Sequence, residues 1–127
     1  MSKKAYNNST VGEISGRYWG LVKKNARKRN MEFNITKEEA WEIFLKQNKR
    51  CIYTGLKITH SRYLCRKNGK DIYYLGTASI DRKDSNLGYI KGNIQWVHKD
   101  VNALKSNFKE KYFLKLCKLI VRRLLCH

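Results

Sequence analysis

Asp81, Arg82, Asn93, His98 and Asn102 crowd into one stretch, ASIDRKDSNLGYIKGNIQWVHKDVNALKSN, running from Ala78 to Asn107. A carboxylate and a carboxamide are both hard oxygen donors, so Asp81 and Asn102 are a pair that could share one divalent cation. Such a pair leaves most of the coordination sphere to water and to a phosphate oxygen, which suits catalysis better than storage. His98 stands four positions before Asn102, one turn away on the same face of a helix. Its imidazole, with an ordinary pKa of about 6.5, is the side chain best matched to taking a proton from water near neutrality. Two roles stay open for it, the base or a hydrogen-bonded buttress of the site. Arg82 stays protonated and cannot move protons, but its fork can grip a phosphate, either at the reacting centre or along the backbone. Taken alone, Asp81 reads as the partner of a surface lysine. With Asn93 and Asn102 in register behind it, the reading turns toward a metal ligand.

These side chains need elements to position them. Residues 1–11 are polar and without periodicity, the pattern of a flexible tail. From Gly12 the sequence turns helical, with Ile14, Tyr18, Leu21 and Val22 on one face and Lys23, Lys24, Arg27, Lys28 and Arg29 on the others. NITKEEAWEIF carries a capping box, Thr36 with Glu39, and the helix it opens has Trp41, Phe44 and Leu45 as its buried stripe and ends near Gln47 to Lys49. Turn signals at Thr54-Gly55 and Asn68-Gly69, among β-branched and aromatic residues, predict short antiparallel strands and a hairpin, with Lys70 to Tyr74 as its return strand. A loop then leads to a strand at Ile94 to Val97. The helix that follows is expected to set Val97, Val101, Leu104 and Phe108 near one apolar face, with His98 and Asn102 stacked beside it. Asn107 with Glu110 resembles a second capping pair, opening a last helix with Phe113, Leu116, Ile120 and Leu124 as its stripe. The order is that of an α+β fold. One domain over 12–127 divides into a basic helical region at 12–49, hairpins and the chemically active segment at 50–107, and a C-terminal helix at 108–127. Trp19, Trp41 and Trp96 read as core, and His60 and His127 as incidental. Tyr73 and Tyr74 alternate on the hairpin, so that one of them could face solvent.

The chain has 127 residues, and its 28 Lys+Arg against 10 Asp+Glu give a net charge of +18. That excess calls for a polyanion, and phosphate backbones are the expected partner. No long apolar run or anchor suggests a membrane, and no apolar segment follows the charges at the N-terminus, so the cytoplasm is the expected compartment. Cys51, Cys65, Cys117 and Cys126 are irregularly spaced, the pattern of thiols and not of a disulfide framework.

SIDRKDSNLGY and GNIQWVHKDVNALKS together resemble the HNH, or ββα-metal, endonuclease motif of phage-borne and homing-type proteins, and GEISGRYWGLVKKNARKRNMEF and CIYTGLKI extend the likeness upstream. The resemblance implies an α+β fold with a ββα-metal core of antiparallel hairpins between N- and C-terminal helices, and metal-dependent cleavage of double-stranded DNA. It implies Asp81 and Asn102 as metal ligands, Mg²⁺ first and Mn²⁺ second, and Asn93 as the residue that steadies the loop between two strands through main-chain hydrogen bonds. Arg82 departs from the family, most of whose members carry a catalytic histidine there; some HNH restriction enzymes are similar in having Asp-Arg. His98 is then the candidate for a relocated base. Where relatives have a zinc knuckle, this chain offers Cys51, Thr54, His98 and Val101, and two ligands out of four do not hold zinc, so no structural zinc is expected. Arg82, Lys23, Lys24, Arg27, Lys28 and Lys105 are the residues expected to meet DNA. A homodimer is left open. The rival reading is a DNA-binding module that has kept the scaffold and lost catalysis. An RNA-binding protein is the weaker third, for want of an aromatic RNP-like strand.

Overall fold

The computed structural model describes residues 10–60, 63–74 and 76–125, with the side chains of 63–66 and 71–74 left aside. The expected tail therefore lies outside the described residues except at its end, as do His127, Cys126 and the side chains of Cys65, Tyr73 and Tyr74. Within the described residues, backbone pairing is already present at Val11, one residue before the point where the periodicity starts. Val11 and Ile14 exchange two backbone hydrogen bonds around Gly12, whose φ of +56° favours glycine and whose added Cβ would overlap the Trp41 ring.

Helix α1 spans Gly16–Lys28 and is capped by Ser15, whose hydroxyl accepts from Tyr18 N. The short strand β1, Phe33–Asn34, leads to α2, Lys37–Lys46, which opens on the expected capping box: Thr36 and Glu39 accept from each other's backbone N–H. Strands β2 (Tyr63–Lys67) and β3 (Lys70–Tyr74) form an antiparallel hairpin through Asn68-Gly69, both at positive φ as a tight two-residue turn requires. Residues 50–60, expected to contain strands, are instead a turn closed by a single bridge between Arg50 and Lys57. Then come β4 (Ala78–Arg82), β5 (Tyr89–Ile90), β6 (Ile94–His98), α3 (Lys99–Lys105) and α4 (Glu110–Leu125). The architecture is α+β, with four helices and small two-stranded sheets among the described residues.

Strands β4 and β6 pair antiparallel, with Ile80 opposite Trp96 and Asp81 opposite Gln95. The outer edges of this ribbon would leave backbone groups unpaired, and side chains close them. On the β6 side Gln47 works like a one-residue strand: its Oε1 accepts from Trp96 N and its Nε2 donates to Trp96 O. On the β4 side the Tyr18 hydroxyl accepts from Ile80 N, while Asn102 Nδ2 donates to Ile80 O. One helix before the ribbon and one after it are thereby pinned to the same residue. The parallel pairing of β1 with β5, Phe33 opposite Tyr89, was not legible as strands and adds a third tie.

The core gathers Ile14, Trp19, Ala40, Phe44, Ile80, Ile94, Trp96 and Val97, with Trp41 packed against it. Trp96 is fully buried because its indole N–H has an acceptor, Ala40 O at 2.8 Å. The apolar stripes expected after the ribbon are only partly used. Val97 belongs to β6 and not to a helix face, while Leu104 is 73% and Phe108 47% exposed. In α4, Phe113 packs against Tyr53, but Ile120 and Leu124 stay exposed. No helix among the described residues is long and apolar enough to cross a membrane.

Candidate active site

Strand β4 delivers Asp81, and α3, entered directly from β6, delivers Asn102. The two line one cleft of about 350 Å³, together with Arg29, Arg82, Tyr89, Lys99 and Asn107. Its rim is set by α1, because Arg29 Nη2 donates to Asn107 Oδ1 at 2.9 Å; the expected capping role of Asn107 gives way to this tie. The exposed basic residues Lys23, Lys24, Arg27 and Lys28 thus precede, on one helix, a cation that reaches the cleft.

Asp81 is 5% exposed and held from behind. Its Oδ1 accepts from Lys105 Nζ at 3.0 Å and its Oδ2 from Gln95 Nε2 at 2.9 Å. Gln95 also donates to the Tyr53 hydroxyl, which in turn donates to Glu110 Oε1 at 2.7 Å. Burial, and then the hydrogen bond to Glu110, push the Tyr53 hydroxyl above the usual range, so it serves as a neutral donor. Lys105, expected at the DNA surface, is 1% exposed, with Nζ also donating to Arg82 O at 2.9 Å. The correction has a plain cause: the last turn of a short helix packed on β4 puts a long side chain beside the one buried carboxylate of that strand.

Arg82 is also buried, at 7% exposure, because its Nη1 donates to Ser85 O and Leu87 O and its guanidinium lies over the Tyr89 ring. Its Nη2 and Nε have no acceptor among the described residues, and these are the N–H groups left for an anion. Asn93, 5% exposed, fixes the same loop: Oδ1 accepts from Asp84 N, and Nδ2 donates to Asp84 O and Gly88 O. Asn102 donates Nδ2 to Ser79 Oγ at 2.7 Å and to Ile80 O, so that Oδ1 is its end without a partner among the described residues.

His98 does not join them. It pairs with Ala78, three positions along the ladder from Asp81, or about 10 Å at strand rise, and an odd offset turns the two side chains to opposite faces. Its Nδ1 caps α3, accepting from Asp100 N at 3.1 Å, and it does not line the cleft. A helix spacing of four suggested a shared face with Asn102. The helix instead begins one residue later, leaving the histidine as its cap.

The donors suit a hydrated divalent ion and not a cage. A carboxylate offers about four acceptor directions, so each Asp81 oxygen keeps one beyond its present donor. One Asp81 oxygen with Asn102 Oδ1 makes two protein oxygens and would leave the other positions to water and phosphate, as Mg²⁺ prefers. No group of three or more His, Cys, Asp or Glu gathers among the described residues. The polar network behind Asp81, through Gln95, Tyr53 and Glu110, was not legible in the sequence, because its members meet only once β4 and β6 are in register and α4 packs beside Tyr53. No family model matches the chain, and comparison with curated proteins and with solved structures gives no match either.

Proposed function

We propose that the chain is a metal-dependent DNA endonuclease of the HNH type, hydrolysing phosphodiester bonds with Mg²⁺ or Mn²⁺ at Asp81 and Asn102. The supporting observation is that a strand carboxylate and a helix carboxamide, on two antiparallel strands and the helix that follows, line one cleft with Arg29, Arg82 and Lys99. A bound divalent ion there supplies Lewis-acid stabilisation of charge on the phosphoryl oxygens. The chain's own residues do the rest. Lys105 and Gln95 hold the Asp81 carboxylate in one orientation, and Asn93 keeps the loop that Arg82 clasps. The free N–H groups of Arg82, with Arg29 and Lys99 at the rim, take up the negative charge that grows on the phosphate as water attacks and the 3′ oxygen departs. With no imidazole on the cleft among the described residues, the attacking water loses its proton to solvent or to a phosphate oxygen, and the departing 3′ oxygen takes one up from solvent.

A second reading, a DNA-binding module without catalysis, is favoured by one observation: both oxygens of Asp81 already carry protein donors. Supercoiled plasmid incubated with Mg²⁺ or Mn²⁺ separates the two. Asp81→Asn is the better control than Asp81→Ala, because it keeps an oxygen for Lys105. Nicking by the wild type and not by Asp81→Asn supports the enzyme; equal binding by both with no nicking supports the module.

A further inference from the structure

Behind the cleft lies an ammonium that solvent does not reach. Lys105 Nζ touches Asp81 Oδ1 and Arg82 O and nothing outside the protein. Burying that charge is tolerated because the carboxylate is buried with it, and removing either partner strands the other. The wider balance matters for any ligand. Arg29, Arg82 and Lys99 face the cleft and Lys105 closes its back, while the acids are Asp81 and, one hydrogen bond beyond Gln95, Glu110 at 3.4 Å. Four cations against two carboxylates leave the cluster at +2. A free divalent cation is repelled by such a site, whereas a phosphodiester is drawn to it.

Resting on the nuclease reading above, we infer that Lys105 holds the Asp81 charge in the free protein, so that the divalent ion and the nucleic-acid phosphate enter the cleft as a coupled pair. Lys105 is a positioning residue that acts through Asp81. The phosphate brings the negative charge that the protein withholds, and the ion then finds Asp81, Asn102 and a phosphate oxygen together. Coupling of this kind is reciprocal: the ion must tighten DNA by the same factor by which DNA tightens the ion.

The test is Mn²⁺ binding to the full chain, read from the electron paramagnetic resonance signal of free Mn²⁺, with and without a short mixed-sequence duplex. Asp81→Asn serves as the blank for ions held by the duplex itself. The wild type is expected to bind Mn²⁺ at least about tenfold more tightly with duplex than without. Lys105→Met, checked for folding by near-ultraviolet circular dichroism, is expected to gain at least about tenfold in Mn²⁺ affinity without duplex and to lose most of the coupling. Equal wild-type affinity with and without duplex, both above the blank, would overturn the role of Lys105 and leave the metal site standing. A folded Lys105→Met that binds Mn²⁺ no more tightly than the wild type would overturn it too. Binding that never exceeds the blank would remove the metal-dependent reading and this inference together. Equal wild-type affinity with and without duplex overturns the inference even where Lys105→Met does not fold.

Discussion

His60 shows how far a residue's environment can part from its reading in sequence. Its ring sits among Trp96, Phe44, Tyr18 and Trp41, with centroids 4.5, 4.6, 6.1 and 6.2 Å away, and its buried Nε2 has no hydrogen-bond partner among the described residues. Burial pushes the imidazole down to about 4, against a weaker opposing pull from Glu13. Between about pH 6.5 and pH 4 the unfolded chain therefore binds more protons than the folded one at this site, and stability falls as pH drops through that window. We expect a loss on the order of 3 kcal/mol across it, visible in urea midpoints, and a flatter acid limb for His60→Phe. An unchanged limb would mean that other groups set the acid response. The same lesson applies to Lys105 and His98. Residue type and spacing located Asp81, Asn93 and Asn102 on one stretch, because strand, loop and helix there are local. They missed Lys105 because burial of a lysine depends on which carboxylate it meets in space. They misplaced His98 because a one-residue shift in a helix start turns the expected base, or buttress, into a cap.

At the scale of elements, the segment from β4 to α3 is a ribbon whose connecting loop is organised by one side chain. Asn93 makes three hydrogen bonds to the backbone of Asp84 and Gly88, and the loop in turn carries the carbonyls that hold Arg82. Asn93→Ala leaves those buried groups without partners, so a destabilisation of roughly 2–4 kcal/mol is expected in chemical denaturation. If Arg82 depends on that loop, DNA affinity should fall as well, and a variant with wild-type stability would show that the loop holds itself. The capping box on α2 and the Asn68-Gly69 turn were legible because their signals are contained within four residues. The parallel contact of β1 with β5 was not, since two-residue strands carry no period and their pairing spans more than fifty positions. Apolar stripes misled for another reason. Periodicity states which residues could be buried together, not that a partner covers them, and much of α4 stays exposed.

For the molecule as a whole, the charge of +18 is the strongest property read from sequence. Helix α1 is tied at Tyr18 to β4, and Arg29, just past its end, to Asn107, so its exposed Lys23, Lys24, Arg27 and Lys28 stand on a helix that is bonded to the cleft at two points. If that helix tracks phosphate, replacing Lys23, Lys24 and Arg27 by glutamine should lower the slope of log affinity against log salt by up to about 3, close to one for each lost contact. An unchanged slope would turn the helix away from the nucleic acid. The central claim is narrower: the oxygens of Asp81 and Asn102 share one divalent ion beside a phosphate. A crystal of the protein grown with a duplex and Mn²⁺ tests it most directly, through the anomalous signal of the metal. The account predicts a peak at coordination distance, about 2.0–2.3 Å, from one oxygen of Asp81, from Asn102 Oδ1 and from a phosphate oxygen. Duplex seated in the cleft with no peak between those two side chains, and Asp81 still bound only to Lys105 and Gln95, would contradict it.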